Sequence, residues 1–258
     1  MGRPKITDEA KMSPRTLARR KKERGETRPF HMHIPDEEFF QSWTPELAWL
    51  IGVIWADGNL TRNCVEVCSK DSDLIEFVDS LTGADNIRLK NGGAHLRTYF
   101  SSVTVANFLR GLGLTERKSL TVRWPQGLPK DLEGHFMRGV IDGDGWVSLR
   151  QARKGQVAPD LVVGFCTAST GFLQDVSGWL DREGIAHSTR EKKRGLWSIE
   201  VKRQDACRKL YAILYPRGTS ETGLIRKSAA YHFWIDHPRR LHNRSDIMVN
   251  AGDHRSPA

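Results

Sequence analysis

Residues 50–58 read LIGVIWADG, and residues 137–145 read MRGVIDGDG. Both run through apolar residues and stop on an aspartate followed by glycine. Taken as the last turns of an α-helix, the first stretch places Gly52 and Ala56 on one face, four residues apart. Gly139 and Gly143 do the same in the second. Small residues at this spacing let two helix backbones approach closely. If the two helices cross there, their C-terminal ends meet and Asp57 stands beside Asp144. That pairing is costly alone. A helix C-terminus carries partial negative charge, and adjacent carboxylates raise each other's pKa. A divalent cation offsets both. Carboxylate oxygens and the free carbonyls of the last turn, at Ala56 and Gly143, form a hard donor set suited to Mg²⁺. Such a site activates water and stabilises a leaving oxygen in phosphodiester hydrolysis. ADG and GDG also read as plain helix-stop turns, but that leaves the two copies unexplained.

The segments downstream of the two stretches are repeated as well. Strand-like runs come first: CVEVCSK in the first half, GWVSLRQ and DLVVGFCTA in the second. Helix-period stretches come next, at 71–83 and 169–184, each ending on or near glycine. Two short strands succeed them, NIRLK and HLRTYFS, then HSTREKK and LWSIEVK. Another helix comes after, VTVANFLRGLG or QDACRKLYAILYP. Each half then reaches the tripeptide RKS, at 117–119 and 226–228. The same order of elements twice over predicts a duplicated α+β chain with pseudo-twofold symmetry. The expected divisions are a basic arm at 1–40, repeats at 41–131 and 132–236, and a tail at 237–258.

Composition narrows the partner. The 258 residues carry a net charge of +9, which favours a polyanion such as nucleic acid. Residues 1–30 hold ten Lys or Arg against four acids, and Ser13-Pro14 reads as the start of a short helix there. Such an arm can lie on phosphates. Four scattered cysteines without a CxxC pair read as reduced intracellular residues rather than a zinc site. The N-terminal stretch lacks the apolar core of a signal peptide, and LAWLIGVIWA is shorter than the ~20 residues a membrane span requires. The expected location is cytoplasmic and nucleoid-associated, in a bacterial or phage context, with an organelle as the alternative.

The paired motifs, the strands after them and the RKS tripeptides resemble the LAGLIDADG homing endonucleases in their single-chain, two-motif form. The resemblance covers roughly residues 45–235. It implies two αββαββα repeats forming a DNA-binding saddle, with the motif helices packed at the repeat interface. It implies a monomer that binds double-stranded DNA, and possible contact with its own intron RNA. It also implies catalytic acids at Asp57 and Asp144 sharing two or three Mg²⁺ ions. Cleavage would cross the minor groove of a long asymmetric target and leave short 3′ overhangs. Lysines near the scissile phosphates correspond to Lys118 and Lys227, for charge stabilisation or water activation. A polar helper position at the end of the second strand corresponds loosely to Ser69 and Thr167. One departure is Trp55, where the second copy has Asp142: Trp55 is expected to pack and Asp142 to be structural. The first repeat is also shorter, so its first strands should be stubby. Its start on Met-Gly, and an Arg after His-Asn at 242–243, read as free-standing rather than as an intein.

Base readout is expected from strand residues. In the first half these are Arg62, Asn63, Arg88, Lys90 and Arg97. In the second they are Ser148, Arg150, Arg153, Lys154, Arg190, Lys192, Lys193, Arg194, Lys202 and Arg203. Arg and Lys suit guanine and Asn suits adenine, although most basic side chains contact phosphate. Trp124, Trp146, Trp179, Trp197 and Trp234 are expected in the core. A maturase or DNA-binding regulator with idle acids is the competing reading.

Overall fold

The computed structural model describes residues 33–150, 159–216 and 223–236. Residues 1–32 of the N-terminal arm with the Ser13-Pro14 helix start, Arg153, Lys154 and the C-terminal tail lie outside the described residues, whereas Phe40, at the end expected of the arm, is buried in the core.

The first motif helix, α1 (Pro45–Asp57), begins on Thr44, whose Oγ1 accepts from Leu47 N at 3.1 Å, with proline in the first turn. Every residue from Leu47 to Trp55 is buried. A helix apolar on all sides must be enclosed on all sides, and this one lies between the second motif helix and the first sheet. It is followed by β1 (Gly58–Thr61), β2 (Cys64–Ser69), α2 (Ser72–Thr82), β3 (Arg88–Lys90), β4 (His95–Ser101) and α3 (Val103–Gly111). The second repeat runs α4 (Glu133–Asp144), β5 (Gly145–Arg150), β6 (Asp160–Thr167), α5 (Thr170–Arg182), β7 (Ser188–Lys193), β8 (Leu196–Val201) and α6 (Gln204–Leu214). A final helix, α7 (Ile225–Asp236), carries the second RKS. It is absent from the elements expected of the sequence.

Each repeat builds one antiparallel four-stranded sheet, ordered β1-β2-β4-β3 and β5-β6-β8-β7. The fold is the expected α+β duplication. As expected, β1 and β2 are shorter than β5 and β6. In the first sheet Val65, Val67, Thr98 and Phe100 alternate inward against the helices. The register places Asn59, Glu66 and Tyr99 on one rung of the opposite face, with Arg88, Cys68 and Arg97 on the next. In the second sheet Trp146, Gly164, Glu200 and Ser188 share the matching rung.

The two motif helices meet through glycine. A Cβ on Gly52 would lie 2.0 Å from Phe136 O, and one on Gly139 would lie 2.0 Å from Trp49 O. Each glycine thus touches the carbonyl three residues before the other, as a twofold contact requires. Nearer the C-terminal ends, a Cβ on Gly143 would lie 2.5 Å from that of Ala56. Trp179 and Trp234 are buried, and Trp124 and Trp197 pack against the core. Trp146 is the correction. It alternates to the open face of β5, where it lies across Gly164, which has no side chain to displace it.

Candidate active site

The crossing sets Asp57 and Asp144 at the joined ends of α1 and α4. A Cβ on Gly143 would stand 3.4 Å from Asp57 Oδ2, so one carboxylate rests against the backbone that carries the other. Asp57 is pushed up to about 6, first by burial and then by the charge of Asp144. Burial raises Asp144 too, while Lys118 and Lys227 pull it down. The protein thus holds two acids where each prefers to be neutral.

The RKS tripeptides return to this point, but not in the same way. Lys118 stands in a short turn after the first repeat, and its Nζ donates to Ala56 O at 2.5 Å. Its charge faces both Asp144 and Asp57, and desolvation lowers its pKa. It lines a cavity of about 230 Å³ together with Trp55, Asp144, Cys166 and Thr167. Lys227 comes from α7 and is 1% exposed. Its Nζ donates to Ile141 O at 2.6 Å, Asp142 O at 2.7 Å and, at the long limit, Gly143 O at 3.5 Å. It therefore caps the last turn of α4, where a cation is favoured by the helix dipole. Desolvation lowers it to about 8. The Ala56 and Gly143 carbonyls expected to face a metal are thus already acceptors for lysine, each keeping a second lone pair.

Asp142 and Trp55 both pack as expected. Asp142 is 1% exposed, and its Oδ2 accepts from Trp49 Nε1 at 2.8 Å and from Leu224 N at 3.2 Å. Burial raises its pKa. Trp55 Nε1 donates to Arg123 O at 2.8 Å. The helper positions make local bonds: Ser69 Oγ accepts from Asp71 N at 3.3 Å and Thr167 Oγ1 from Ser169 N at 3.1 Å. Each hydroxyl thus holds the N-cap residue of the following helix, and Thr167 also borders the cavity.

The expected base-reading residues divide. Arg88, Ser148, Arg150 and Arg190 are exposed on the strands, with Lys193 at the end of β7 and Arg194 in its turn. Arg62 and Asn63 form the exposed β1–β2 turn, with Arg62 at φ 53°. Lys90 and Arg97 are both paired to Glu66, and Lys192 and Lys202 to Glu200. Arg203 is off the sheet, at the N-cap of α6, forked onto Asp205.

Sequence reasoning missed several residues. Arg138 is buried, with its guanidinium 4.7 Å from the Tyr215 ring centre and Nε 4.0 Å from Asp142 Oδ2. The i,i+4 spacing of Arg138 and Asp142 was the available signal. Gly223, at φ 110°, closes the same cluster: a Cβ there would lie 2.5 Å from Asp142 Oδ2. Two clasps were also missed. Arg226 forks onto Asp71 and Arg123 onto Asp175, and their partners lie far away in sequence.

Residues 131–214 match the sequence profile of the LAGLIDADG-like domain. No curated protein sequence matches the chain. Among solved structures, the meganuclease I-SmaMI bound to uncleaveable DNA superposes with a TM-score of 0.51 at 13% identity, over 75% of this chain and 90% of that one. A lysine-to-alanine mutant of I-SmaMI gives 0.52 at 14% identity, over 82% and 94%. Variants of the homing endonuclease I-DmoI give 0.48 at 16% identity, over 73% and 97%. The architecture is a pair of pseudo-symmetric α+β repeats joined through their motif helices. The second repeat is thus a LAGLIDADG-like domain, and the first repeat carries a matching motif on the same fold.

Proposed function

We propose that this protein is a site-specific double-strand DNA endonuclease that depends on a divalent cation, with Mg²⁺ as the physiological ion. One observation carries the reading. Two helices are pressed together through Gly52 and Gly139, and the result is two carboxylates at one point, both with raised pKa values. Such an arrangement costs stability and serves no packing need. The fold shared with I-SmaMI, a meganuclease seen bound to uncleaveable DNA, supports it.

Asp57 and Asp144 would hold the cations, with Ala56 O and Gly143 O at hand. The donors are all hard oxygens, and the raised pKa values of the two carboxylates mark a site short of positive charge, so the residues fit the group. When bound, Mg²⁺ supplies Lewis acidity and a nucleophile at neutral pH. Lys118, half-buried at the cavity wall, is placed to stabilise charge developing on a phosphate. Lys227 holds the end of α4, and so the direction of Asp144. Exposed basic residues on both sheets would track the duplex, and cuts across the minor groove would leave short 3′ overhangs at a long asymmetric site. The protein would act as a monomer in the cytoplasm, close to the nucleoid. Contact with intron RNA belongs to the maturase alternative, which the presence of both acids and both lysines at one point disfavours.

The test is incubation with a randomised duplex library in Mg²⁺, with Ca²⁺ as control, and sequencing of the cut ends. Discrete ends with 3′ overhangs at one long motif, in Mg²⁺ alone, are expected. Specific retention without cutting would shift the assignment to a regulator or maturase.

A further inference from the structure

Each sheet carries a glutamate on its open face, beneath a pair of cations. Glu66 on β2 accepts from Arg97 Nη1 at 2.8 Å and from Lys90 Nζ. Glu200, on β8, pairs with Lys202 Nζ and lies 3.5 Å from Lys192 Nζ. The acids are the more enclosed partners: Glu66 is 21% exposed and Glu200 10%, against 33–46% for the four cations. Aromatic rings fix the clusters further. The Arg97 guanidinium is 5.5 Å from the Tyr99 ring centre, and Lys192 Nζ is 5.9 Å from that of Trp146. Arg97 Nε is buried and has no hydrogen-bond partner among the described residues.

The two glutamates are not copies of one ancestral residue. Val67 faces Gly58 and Phe165 faces Gly145, each directly after a motif aspartate. This aligns Glu66 with Gly164 and Tyr99 with Glu200, which are partners across the strands. Both sheets therefore place a carboxylate on the same rung, but from different strands. Duplication alone would have put it on the same strand.

A face needed only to attract phosphate is weakened by a carboxylate, because each cation neutralised by protein releases fewer counterions. Burying a carboxylate also costs free energy unless it is paired. The gain from this arrangement is geometry. Phosphate accepts a cation from many directions, whereas a base edge requires a donor held in one. We propose that Glu66 and Glu200 are specificity-determining residues, each holding two cations in place for base edges and withholding them from non-specific phosphate. This rests on the reading of the protein as a DNA endonuclease.

The full chain is compared with Glu66→Gln, Glu200→Gln and the double variant Glu66→Gln/Lys90→Ala, each checked for folding by circular dichroism. Binding is measured on a random-sequence duplex and on a duplex selected by the parent protein, across a salt series. Each single variant is expected to bind random duplex more tightly at low salt, with a salt slope steeper by about 1 per freed cation. The affinity ratio of selected to random duplex is expected to fall by about tenfold, the worth of one directional base contact. Removing Lys90 in the double variant should return the slope towards that of the parent. Unchanged slope and unchanged ratio in both folded single variants would overturn the inference while leaving DNA binding intact. A parent chain that retains no duplex would instead overturn the endonuclease reading itself.

Discussion

Asp57 and the two lysines show how one sequence motif reaches different physical ends. Asp57 has its pKa raised from 3.8 to about 6. A raised folded-state pKa means that the favourable contribution is fully present below the unfolded value and is lost as pH rises through the folded one. Without a cation, then, the ionised carboxylate weakens the protein above about pH 6. Asp57→Asn should raise stability by about 2 kcal/mol near pH 7.5 in chelator and by almost nothing below about pH 4. Urea unfolding of both proteins at the two pH values checks this, and an equal difference at both would remove the electrostatic cause. The same variant, like Asp144→Asn, should lose double-strand cleavage while binding duplex as before; full cleavage by both variants would end the metal assignment. The lysines should separate. Lys118→Met should cut the rate roughly 100-fold or more at nearly unchanged stability, as expected for loss of one charge-stabilising donor. Lys227→Met should instead cost roughly 1–3 kcal/mol, because buried carbonyls at the end of α4 lose their donor. Thermal melts beside single-turnover cleavage distinguish the two roles. The tripeptides are identical, so nothing within them marks this split; it arises because Lys118 sits on a turn and Lys227 on the buried side of α7.

At the next level, the helix pair was fully legible. Gly52, Ala56, Gly139 and Gly143 announce a close crossing because only a missing or minimal side chain permits it. Gly52→Ala puts a methyl 2.0 Å from Phe136 O. The helices must separate or bend, at a cost of roughly 1–3 kcal/mol, and the two aspartates should move apart with them. The expected result is a lower Tm together with lost cleavage. Lost cleavage at an unchanged Tm would mean that the crossing positions the acids without holding the repeats together. Apart from β1, four residues long and not among the runs read from the sequence, the strands and helices of each repeat were equally legible, since their apolar periods and glycine stops are local. Three things were not. α7 has buried residues at Lys227, Tyr231 and Trp234, and a buried lysine breaks the apolar pattern that marks a helix face. Trp146 reads as core by type but faces outward, because its neighbour across the strand is a glycine that leaves room for the ring on the open face. The pairing of Glu66 with Lys90 and Arg97 depends on strand register, which a single sequence leaves open.

Over the whole chain, the segments beyond the repeats cross over. After the first repeat, Arg123 and Trp124 N both reach Asp175 on α5, and Ser169 Oγ donates to Val122 O at 2.6 Å. After the second, Arg226 and Ile225 N reach Asp71 and Asp73 at the start of α2. Each segment thus ties its own motif helix to the opposite repeat, and the paired aspartates lie between two reciprocal clasps. Charge is distributed on a different plan. Both open faces neutralise part of their own cations through Glu66 and Glu200, while residues 1–30 hold ten basic residues against four acids, two-thirds of the net +9. If the faces supply direction, sequence-independent attraction must come chiefly from the arm. Deleting residues 1–30 should therefore weaken binding to random and selected duplex by similar factors. It should also flatten the salt slope by roughly 0.9 for each phosphate the arm no longer neutralises. The ratio between the two duplexes should stay nearly unchanged, the opposite of the effect of Glu66→Gln. A deletion that lowers the ratio but not the slope would place base reading in the arm, and the clusters on the sheets would then be the source of attraction.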